Sequence, residues 1–377
     1  MARGTVFKKD NNWAFRVDGG IDHLTGKRQQ VLRHGFNTKR EAEKSLDELV
    51  HAKSTGTGAV RSKARVAEFL DNWLETQHGR LRETTHGSYT VAVERIKMSL
   101  GTIPLQSLAP LQIESFYAEL ASTKARRPLS AKTIRNTHVV LRKALGDAER
   151  LGLVVRNSAA AARPPIARRP EFETWSSEQL RTFFEAAKGS RFYAVFIVCA
   201  TTGMRRGEVV GLRWADIDFD AKQLAVVQTI TTVNNRLIVS PPKTLRSRRT
   251  LFLDVQTLEV LGERRRLQRE QRMAAGAAWT KSSDLVFTDS TGDSLHPDGV
   301  TREFTRLSRD AGLPVIRLHD LRHTYATLAL KTGIHPKVVS ERLGHASVGI
   351  TLDLYSHVTP AIARDAADSV AATIFGT

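Results

Sequence analysis

Basic side chains suited to phosphate chemistry recur through the C-terminal half of the chain, and one tyrosine follows them. In chain order the candidates are Arg205, Lys243, His319, Arg322, His345 and Tyr355. Guanidinium groups hold the nonbridging oxygens of a phosphodiester through paired hydrogen bonds. Imidazoles donate hydrogen bonds and move protons near neutral pH. Because these cations can neutralise a displacement at phosphorus, the pattern predicts phosphoryl transfer that needs no metal ion and no other cofactor.

The tyrosine and the lysine complete this chemistry. A phenol has a pKa of about 10 in water, and it becomes a usable nucleophile when cations surround it and a base lies nearby. A lysine ammonium group can protonate a departing alkoxide. We therefore expect Tyr355 to attack a phosphodiester while Lys243 assists the leaving group.

The spacing of the candidates predicts their local settings. Arg205 follows Thr202-Gly203-Met204, just past a glycine break, and should stand at the start of a helix. Lys243 lies between two β-like segments, where the tip of a hairpin is expected. His319 and Arg322 are three residues apart, which makes them neighbours on one helix face. His345 follows a Leu-Gly pair at a helix end, ten residues before the tyrosine.

Three alternatives compete with these assignments. Arg206 adjoins Arg205, although the place directly after Thr-Gly-Met favours Arg205. Tyr325 is the competing tyrosine, but it belongs to an apolar helical run and should pack in the core. His319 and His323 have a spacing that can bind zinc, with a third ligand to come from His345 or His357, yet the usual acidic partner is missing.

The ordered set resembles the catalytic set of the tyrosine recombinases. The strings TGMRRGE, HDLRHTYAT, LGHAS and YSHV are similar to the sequence motifs of that family, and the resemblance covers residues 171–377. It implies site-specific breakage and rejoining of DNA strands through a covalent 3′-phosphotyrosyl bond. The bond stores the phosphodiester energy, so ATP is not required.

The resemblance also implies a role for each position. Arg205 and Arg322 would clamp the scissile phosphate, and Lys243 would be the general acid toward the 5′-hydroxyl. His319 would be the general acid and base for the tyrosine, and His345 would donate a hydrogen bond to a nonbridging oxygen of the phosphate. Glu208 matches the acidic residue of the family and is interpreted as a structural support.

Three domains are expected around these residues, in a mainly α fold with small β-sheets (α+β). Residues 171–377 would form the mixed, mostly helical catalytic domain. Residues 64–155 read as a helical bundle and resemble the core-binding, SAM-like domain of the family. Residues 1–55 read as a three-stranded sheet with one helix and resemble the arm-binding domain of heterobivalent phage integrases.

Local patterns support the two N-terminal domains. Period-two alternation at Trp13, Phe15 and Val17 predicts a strand, Asp18-Gly19-Gly20 a turn, and Gln29–Phe36 a second strand. Thr38 and Glu41 have capping-box spacing before a helix. Four helices are then expected at Val66–Gln77, Thr84–Leu100, Pro110–Ser122 and Ser130–Leu151. A flexible linker is predicted at 54–58 and a stiff, basic, exposed one at 157–170.

The amino-acid composition indicates the kind of binding partner and the cellular compartment. Lys and Arg total 57 against 39 Asp and Glu, a net charge of +18, which favours a polyanionic partner such as double-stranded DNA. The lone Cys199 lies in an apolar run and should be a buried thiol in a reducing cytoplasm, where the protein would act on the nucleoid of a bacterial host. The first ten residues lack the apolar region of a signal peptide, and no stretch has the length of a membrane helix.

The remaining expectations concern assembly. The Ala-rich segment 361–372 should form a weak helix that docks on a neighbouring protomer, giving a monomer in solution and a homotetramer on paired core and arm sites. Folding back on its own domain is the alternative for this tail. An excisionase and a DNA-bending host protein are further expected partners.

Three other functions are alternatives to an integrase for this sequence. A type IB topoisomerase has a similar site but only relaxes DNA, and the separate arm-like domain argues for a recombinase that bridges two sites. A Xer-type resolvase usually lacks a segment like 1–55. The intact set of six residues argues against a non-catalytic DNA-binding regulator.

Overall fold

A computed structural model of the chain describes residues 4–21, 28–54, 63–122, 127–167, 173–233, 235–242, 247–280, 284–355 and 371–376. The chain divides into two compact units, residues 1–169 and 170–377. Helices dominate both, and the strands form small antiparallel sheets, which confirms the α+β class. No helix in these ranges is long and apolar enough to cross a bilayer.

The N-terminal sheet has the antiparallel order β1-β2-β3, followed by one helix. Its elements are β1 (Thr5–Lys9), β2 (Asn12–Ile21), β3 (Arg28–Phe36) and α1 (Lys39–Ser54). Phe15 and Val17 are buried against Leu46 of α1, as the alternation predicts. The capping box is confirmed, because the Thr38 hydroxyl accepts from the Glu41 N–H at 3.2 Å and the Glu41 carboxylate accepts from the Thr38 N–H at 3.2 Å.

The predicted turn at Asp18-Gly19-Gly20 is wrong. β2 continues through it to Ile21, paired with β3, and the register shifts between Asp18 and Gly20. The glycines therefore mark a β-bulge, which absorbs an extra residue inside a strand rather than reversing it.

Four long helices build the next part of the first unit. They are α2 (Val66–Gln77), α3 (Glu83–Leu100), α4 (Pro110–Ala121) and α5 (Ala131–Arg150). Each boundary lies within one residue of its predicted position. The predicted face of α5 is buried at every position: Ile134, His138, Leu141, Leu145 and Ala148. The periodicity thus identified the side of α5 that packs into the bundle core.

The predicted basic linker at 157–170 needs correction. Its first part forms the short helix α6 (Ser158–Ala161), in which Ala159 is fully buried in the bundle core. The Asn157 amide donates to the Arg142 carbonyl at 2.8 Å and its carbonyl oxygen caps Ala160. Small apolar side chains let this segment pack closely, so it belongs to the bundle. Residues 168–170, and residues 55–58 of the other predicted linker, lie outside the described residues.

The second unit is mostly helical. Its helices are α7 (Ser177–Ala187), α8 (Tyr193–Thr202), α9 (Arg206–Val210), α10 (Val255–Ala275), α11 (Pro297–Asp310), α12 (Asp320–Lys331), α13 (Pro336–Leu343) and α14 (Val348–Tyr355). The interior of α8 is buried from Ala194 to Ala200, and Cys199 is a free buried thiol, as predicted. Burial raises the pKa of Cys199 to about 12.

Two small antiparallel sheets complete this unit. One has the order β4-β5-β8 and the other pairs β6 with β7. The strands are β4 (Ile217–Asp218), β5 (Gln223–Val226), β6 (Thr229–Val233), β7 (Arg236–Ser240) and β8 (Arg249–Phe252). Thr229 and Ile230 of β6 come within van der Waals reach of Gly207, so this sheet lies directly beside α9.

The run Arg264-Arg265-Arg266 on α10, whose charge predicts a solvated helix face, meets that prediction at two of its three residues. Arg264 is buried and donates to the Val286 carbonyl and the Thr288 hydroxyl, at 3.0 and 3.1 Å. Arg265 lies over the rings of Trp214 and Phe219. Arg265 and Arg266 are both exposed, and Arg266 pairs with two glutamates of its own helix.

Candidate active site

A tight turn between α8 and α9 positions the first arginine. Gly203 ends α8 in the left-handed region, with φ of 66°, and Arg205 is the N-cap of α9. A Cβ atom on Gly203 would lie 2.5 Å from Leu343 Cδ2 and 2.9 Å from Tyr325 Cδ1. Both the backbone conformation and the close packing therefore require glycine here.

Arg205 is held by two acceptors. Its Nη1 donates to Glu208 Oε1 at 2.8 Å, and its Nη2 donates to the Gly344 carbonyl at 3.3 Å. Glu208 also accepts from the Arg205 backbone N–H at 3.0 Å, which caps the start of α9. The Arg205 side chain nevertheless remains 39% exposed. It is thus both oriented and accessible to an anion.

Arg206 has a different environment. Its Nη1 donates to the Pro297 carbonyl, to Asp298 Oδ1 and to Thr301 Oγ1, at 3.2, 3.0 and 2.7 Å. These acceptors all belong to α11. Arg206 therefore ties α9 to α11, while Arg205 contacts the turn that precedes His345.

Arg322 reaches the same two turns from α12. Its Nη1 donates to the Gly203 carbonyl at 2.8 Å and its Nη2 to the Leu343 carbonyl at 2.6 Å. The residue is only 3% exposed. Arg205 and Arg322 therefore converge on the turn after α8 and the turn after α13, although they are far apart in sequence.

His319 is the N-cap of α12, and its ring meets that of His323 edge-on, with centroids 5.4 Å apart. Partial burial lowers the pKa of His319 to about 4, and the charges of His323, Arg322 and Arg205 act in the same direction. The residue keeps an exposed face. At neutral pH the imidazole is therefore uncharged and can accept a proton.

His345 follows Gly344, which ends α13 in the left-handed conformation. Its Nδ1 is 2.8 Å from Thr351 Oγ1, and Thr351 is fully buried on α14. Burial lowers the pKa of His345 to about 4, helped by Arg322 and Arg205. His345 is thus a neutral ring tied to the helix that ends at Tyr355.

The structure describes the side chain of neither Lys243 nor Tyr355. Lys243 lies outside the described residues. Tyr355 is the last residue of α14, four positions after Thr351, and only its backbone is described. The competing Tyr325 packs against the buried cluster of Ala326, Ala329, Leu330, Val339 and Leu343, as predicted for a core residue.

Sequence reasoning missed Arg249, the first residue of β8. Its side chain is 7% exposed and its Nη2 donates to Glu208 Oε2 at 2.9 Å. Glu208 therefore lies between two guanidinium groups, Arg205 and Arg249. The only signal in the sequence was an arginine directly before the β-like segment predicted at Thr250–Leu253, which does not distinguish a buried arginine from an exposed one.

Asp216, directly before β4, is a structural partner of an arginine. Arg213 holds Asp216 through two hydrogen bonds at 2.7 and 2.9 Å. Across the described ranges, no three His, Cys, Asp or Glu side chains are arranged to hold a metal ion.

Three family descriptions match successive parts of the chain. "Phage integrase family" matches residues 174–361, "Arm DNA-binding domain" matches 6–52, and "Phage integrase, N-terminal SAM-like domain" matches 66–121. The first match includes all six candidate residues.

Individual relatives agree with these matches. A "Tyrosine recombinase XerC-like" protein of Caldanaerobacter subterraneus is 29% identical, with 96% of each chain covered. The ICEBs1 integrase of Bacillus subtilis is 27% identical over 71% of each chain.

Solved structures share the fold. The Tn1549 transposon integrase, in complex with transposon right end DNA, has a TM-score of 0.69 at 18% identity, covering 81% of this chain and 99% of that one. A lambda integrase tetramer bound to a Holliday junction has a TM-score of 0.58 at 17% identity, covering 93% and 94%.

Proposed function

Because this chain belongs to the phage integrase family of tyrosine recombinases, we propose that Tyr355 forms the covalent bond with DNA during site-specific recombination. The enzyme cleaves and rejoins DNA strands as the integrase of a mobile element, and it binds DNA. Attack by the phenol oxygen on the scissile phosphorus forms the phosphotyrosyl ester and breaks the bond to the 5′-oxygen, which leaves as a hydroxyl after protonation. Religation is the reverse of this step.

The convergence of Arg205 and Arg322 is the observation that carries the proposal. A phosphate placed against the Arg205 side chain would contact this accessible guanidinium. The second guanidinium, of Arg322, is held nearby by its bonds to the Gly203 and Leu343 carbonyls. Prearranged cations stabilise the extra charge of a phosphoryl-transfer transition state without reorganisation. We assign the phosphate clamp to this pair.

The two histidines have complementary roles in this scheme. If Nδ1 of the neutral His345 accepts from the Thr351 hydroxyl, its Nε2 carries the proton and can donate to a nonbridging oxygen. The neutral His319 can accept the phenol proton. Lys243 would then protonate the departing 5′-oxygen.

Replacement of the nucleophile tests the proposal directly. Tyr355→Phe should bind a nicked suicide site with unchanged affinity yet form no covalent adduct, because only the attacking oxygen is removed. Tyr325→Phe, which changes a packed tyrosine of the same unit, is the matched control and should form the adduct. Adducts are read as a mobility shift on denaturing gels in excess EDTA. An adduct in the first variant would move the assignment to another tyrosine.

Assembly and location follow from the same reasoning. We expect a tetramer on paired core and arm sites in the cytoplasm of a bacterial host, with an excisionase and a DNA-bending protein directing the reverse reaction.

Residues 361–370 of the tail lie outside the described residues, and residues 371–375 are helical with Ile374 and Phe375 exposed. These two apolar side chains favour docking of the tail on a neighbouring protomer. A chain lacking 361–377 should bind single sites normally but give fewer synaptic complexes.

A further inference from the structure

Arg249 makes three hydrogen bonds to three separate parts of the second unit. Its Nη2 donates to Glu208 Oε2 at 2.9 Å, its Nε to the Arg342 carbonyl at 2.5 Å, and its Nη1 to the Ser247 carbonyl at 3.0 Å. The side chain is 7% exposed. A buried guanidinium with this set of acceptors joins α9, the C-terminal end of α13 and the start of β8.

We propose that Arg249 is a positioning residue for DNA cleavage, which fixes Glu208 and hence the Arg205 guanidinium, and fixes the end of α13 before His345. This inference rests on the proposed function. In this proposal Arg249 acts through Glu208 and the Arg342 carbonyl rather than through a contact with the DNA.

Glu208 transmits the effect to Arg205. Its carboxylate is 4% exposed. Its Oε1 accepts from the Arg205 guanidinium, and its Oε2 accepts from the Arg249 guanidinium and the Arg205 backbone N–H. Burial alone would raise the pKa of Glu208, but the bond from Arg249 and the charges of Arg249 and Arg205 together lower it below the usual range. The carboxylate is therefore ionised and held from both sides. Without Arg249 the carboxylate keeps only the two bonds from Arg205 itself, from its Nη1 and its backbone N–H, and loses the bond that ties it to β8. The pair of Arg205 and Glu208 would then no longer be fixed from outside α9.

The second route runs through the backbone. Arg249 holds the carbonyl of Arg342, and the next two carbonyls, of Leu343 and Gly344, accept from Arg322 and Arg205. Three consecutive carbonyls are thus bound by three different arginines, directly before His345. The order of these bonds makes the position of His345 dependent on Arg249.

Lysine cannot replace this arginine geometrically. A guanidinium presents donors along several directions in one plane, whereas an ammonium is a single point on a flexible stem. Arg249→Lys therefore keeps the charge but loses the simultaneous contact with all three acceptors. Displacements of about 1 Å among reacting groups cost roughly 10²-fold in rate.

The test compares Arg249→Lys with Arg248→Lys, a change of the same kind at the adjacent exposed arginine. Single-turnover adduct formation is measured on a suicide site at saturating DNA, beside DNA affinity and urea unfolding. We expect the Arg249 variant to cleave about 30- to 100-fold more slowly with affinity within about threefold, and the Arg248 variant to cleave as the parent does. If Arg249→Lys does not fold, Arg249→Gln, which keeps side-chain donors, takes its place.

A DNA substrate with an uncharged scissile group shows whether Arg249→Lys slows cleavage by displacing Arg205 or by a general loss of structure. A methylphosphonate in place of the scissile phosphate removes the charged oxygen that the arginines are proposed to stabilise. The rate loss caused by Arg249→Lys should then shrink about tenfold. An equal loss on both substrates, or no loss on either, overturns the inference while leaving the recombinase intact. Absence of an adduct in the parent protein instead overturns the proposed function.

Discussion

Two adjacent arginines show how environment assigns different tasks to the same side chain. Arg205 faces Glu208 and the Gly344 carbonyl, while Arg206 is bound by three acceptors on α11. Arg206 is therefore bound to α11, while Arg205 is directed toward the turn before His345.

Lysine substitutions at the two positions should separate these tasks. Arg205→Lys should lower the single-turnover rate of adduct formation about 10²- to 10³-fold, because a bidentate donor to the phosphate is lost. Arg206→Lys should stay within about threefold in rate but lose roughly 1 kcal/mol of unfolding free energy. Suicide-site cleavage and urea unfolding measure the two effects. The reverse ranking of rates would assign the phosphate clamp to Arg206.

The neutral histidines predict a pH dependence of stability. His345 has a folded pKa of about 4, below its unfolded value of about 6.5. Between these values the unfolded chain binds more protons, so the free energy of unfolding should decrease as pH falls through this window.

The matching variant is His345→Gln. Because partial exposure weakens the effect, we expect it to remove about 1–2 kcal/mol of the stability difference between pH 7 and pH 5. His319 and His323, whose pKa values are also lowered, leave a residual slope. Urea unfolding at the two pH values measures the difference. The same slope in parent and variant would mean that His345 is not the group that titrates.

Sequence motifs identified candidate site residues but not the residues that support them. Arg205, Arg322 and His345 come together because a glycine turn or helix start fixes each of them, and such signals are local. Arg249 was missed because its function depends on a carboxylate 41 positions away. Arg264 was misread for the same reason: charge in the sequence does not reveal a buried carbonyl across the fold.

At the scale of elements, the turn at Gly203 positions the carbonyl that accepts from Arg322. Gly203→Ala should combine about 1 kcal/mol of backbone strain with roughly 1–3 kcal/mol of overpacking against Leu343 and Tyr325. Gly189→Ala is the control, since Gly189 has φ of 85° with nothing within 4 Å of the added atom. Thermal unfolding compares the two. Equal losses would show that the close packing at Gly203 relaxes freely.

Element prediction succeeded where the signal was local. The helical periodicity and the Gly and Pro residues between helices give helix ends within one residue throughout the bundle. In the region 216–253 the sequence predicts β-like segments at Leu224–Val227, Leu237–Val239 and Thr250–Leu253 but not β6. Only Ile230 of the five β6 residues is fully buried, which leaves no clear alternation. The bulge at Asp18–Gly20 was read as a turn because glycines favour both, and only the pairing with β3 distinguishes them. The three predicted domain boundaries stay predictions.

At the scale of the whole molecule, the N-terminal sheet and the catalytic unit are expected to bind different DNA sites. A chain beginning at residue 63 should cleave a core site at about the parental rate but lose integration that depends on arm sites. Gel shifts with separate arm and core duplexes, beside an integration assay, measure both. Integration as efficient as that of the full chain would contradict two-site binding and favour a resolvase that uses one kind of site.

The buried thiol has a practical consequence for watching this enzyme at work. Maleimide dyes react with accessible thiolates, and Cys199 is the only cysteine, 3% exposed with a pKa raised to about 12. The native chain should therefore stay unlabelled under mild conditions. A cysteine introduced in place of Met98, which is 85% exposed on α3, would carry a single fluorophore without removal of the natural thiol. Energy transfer between two such protomers would then report, molecule by molecule, when paired DNA sites are brought together and when they separate.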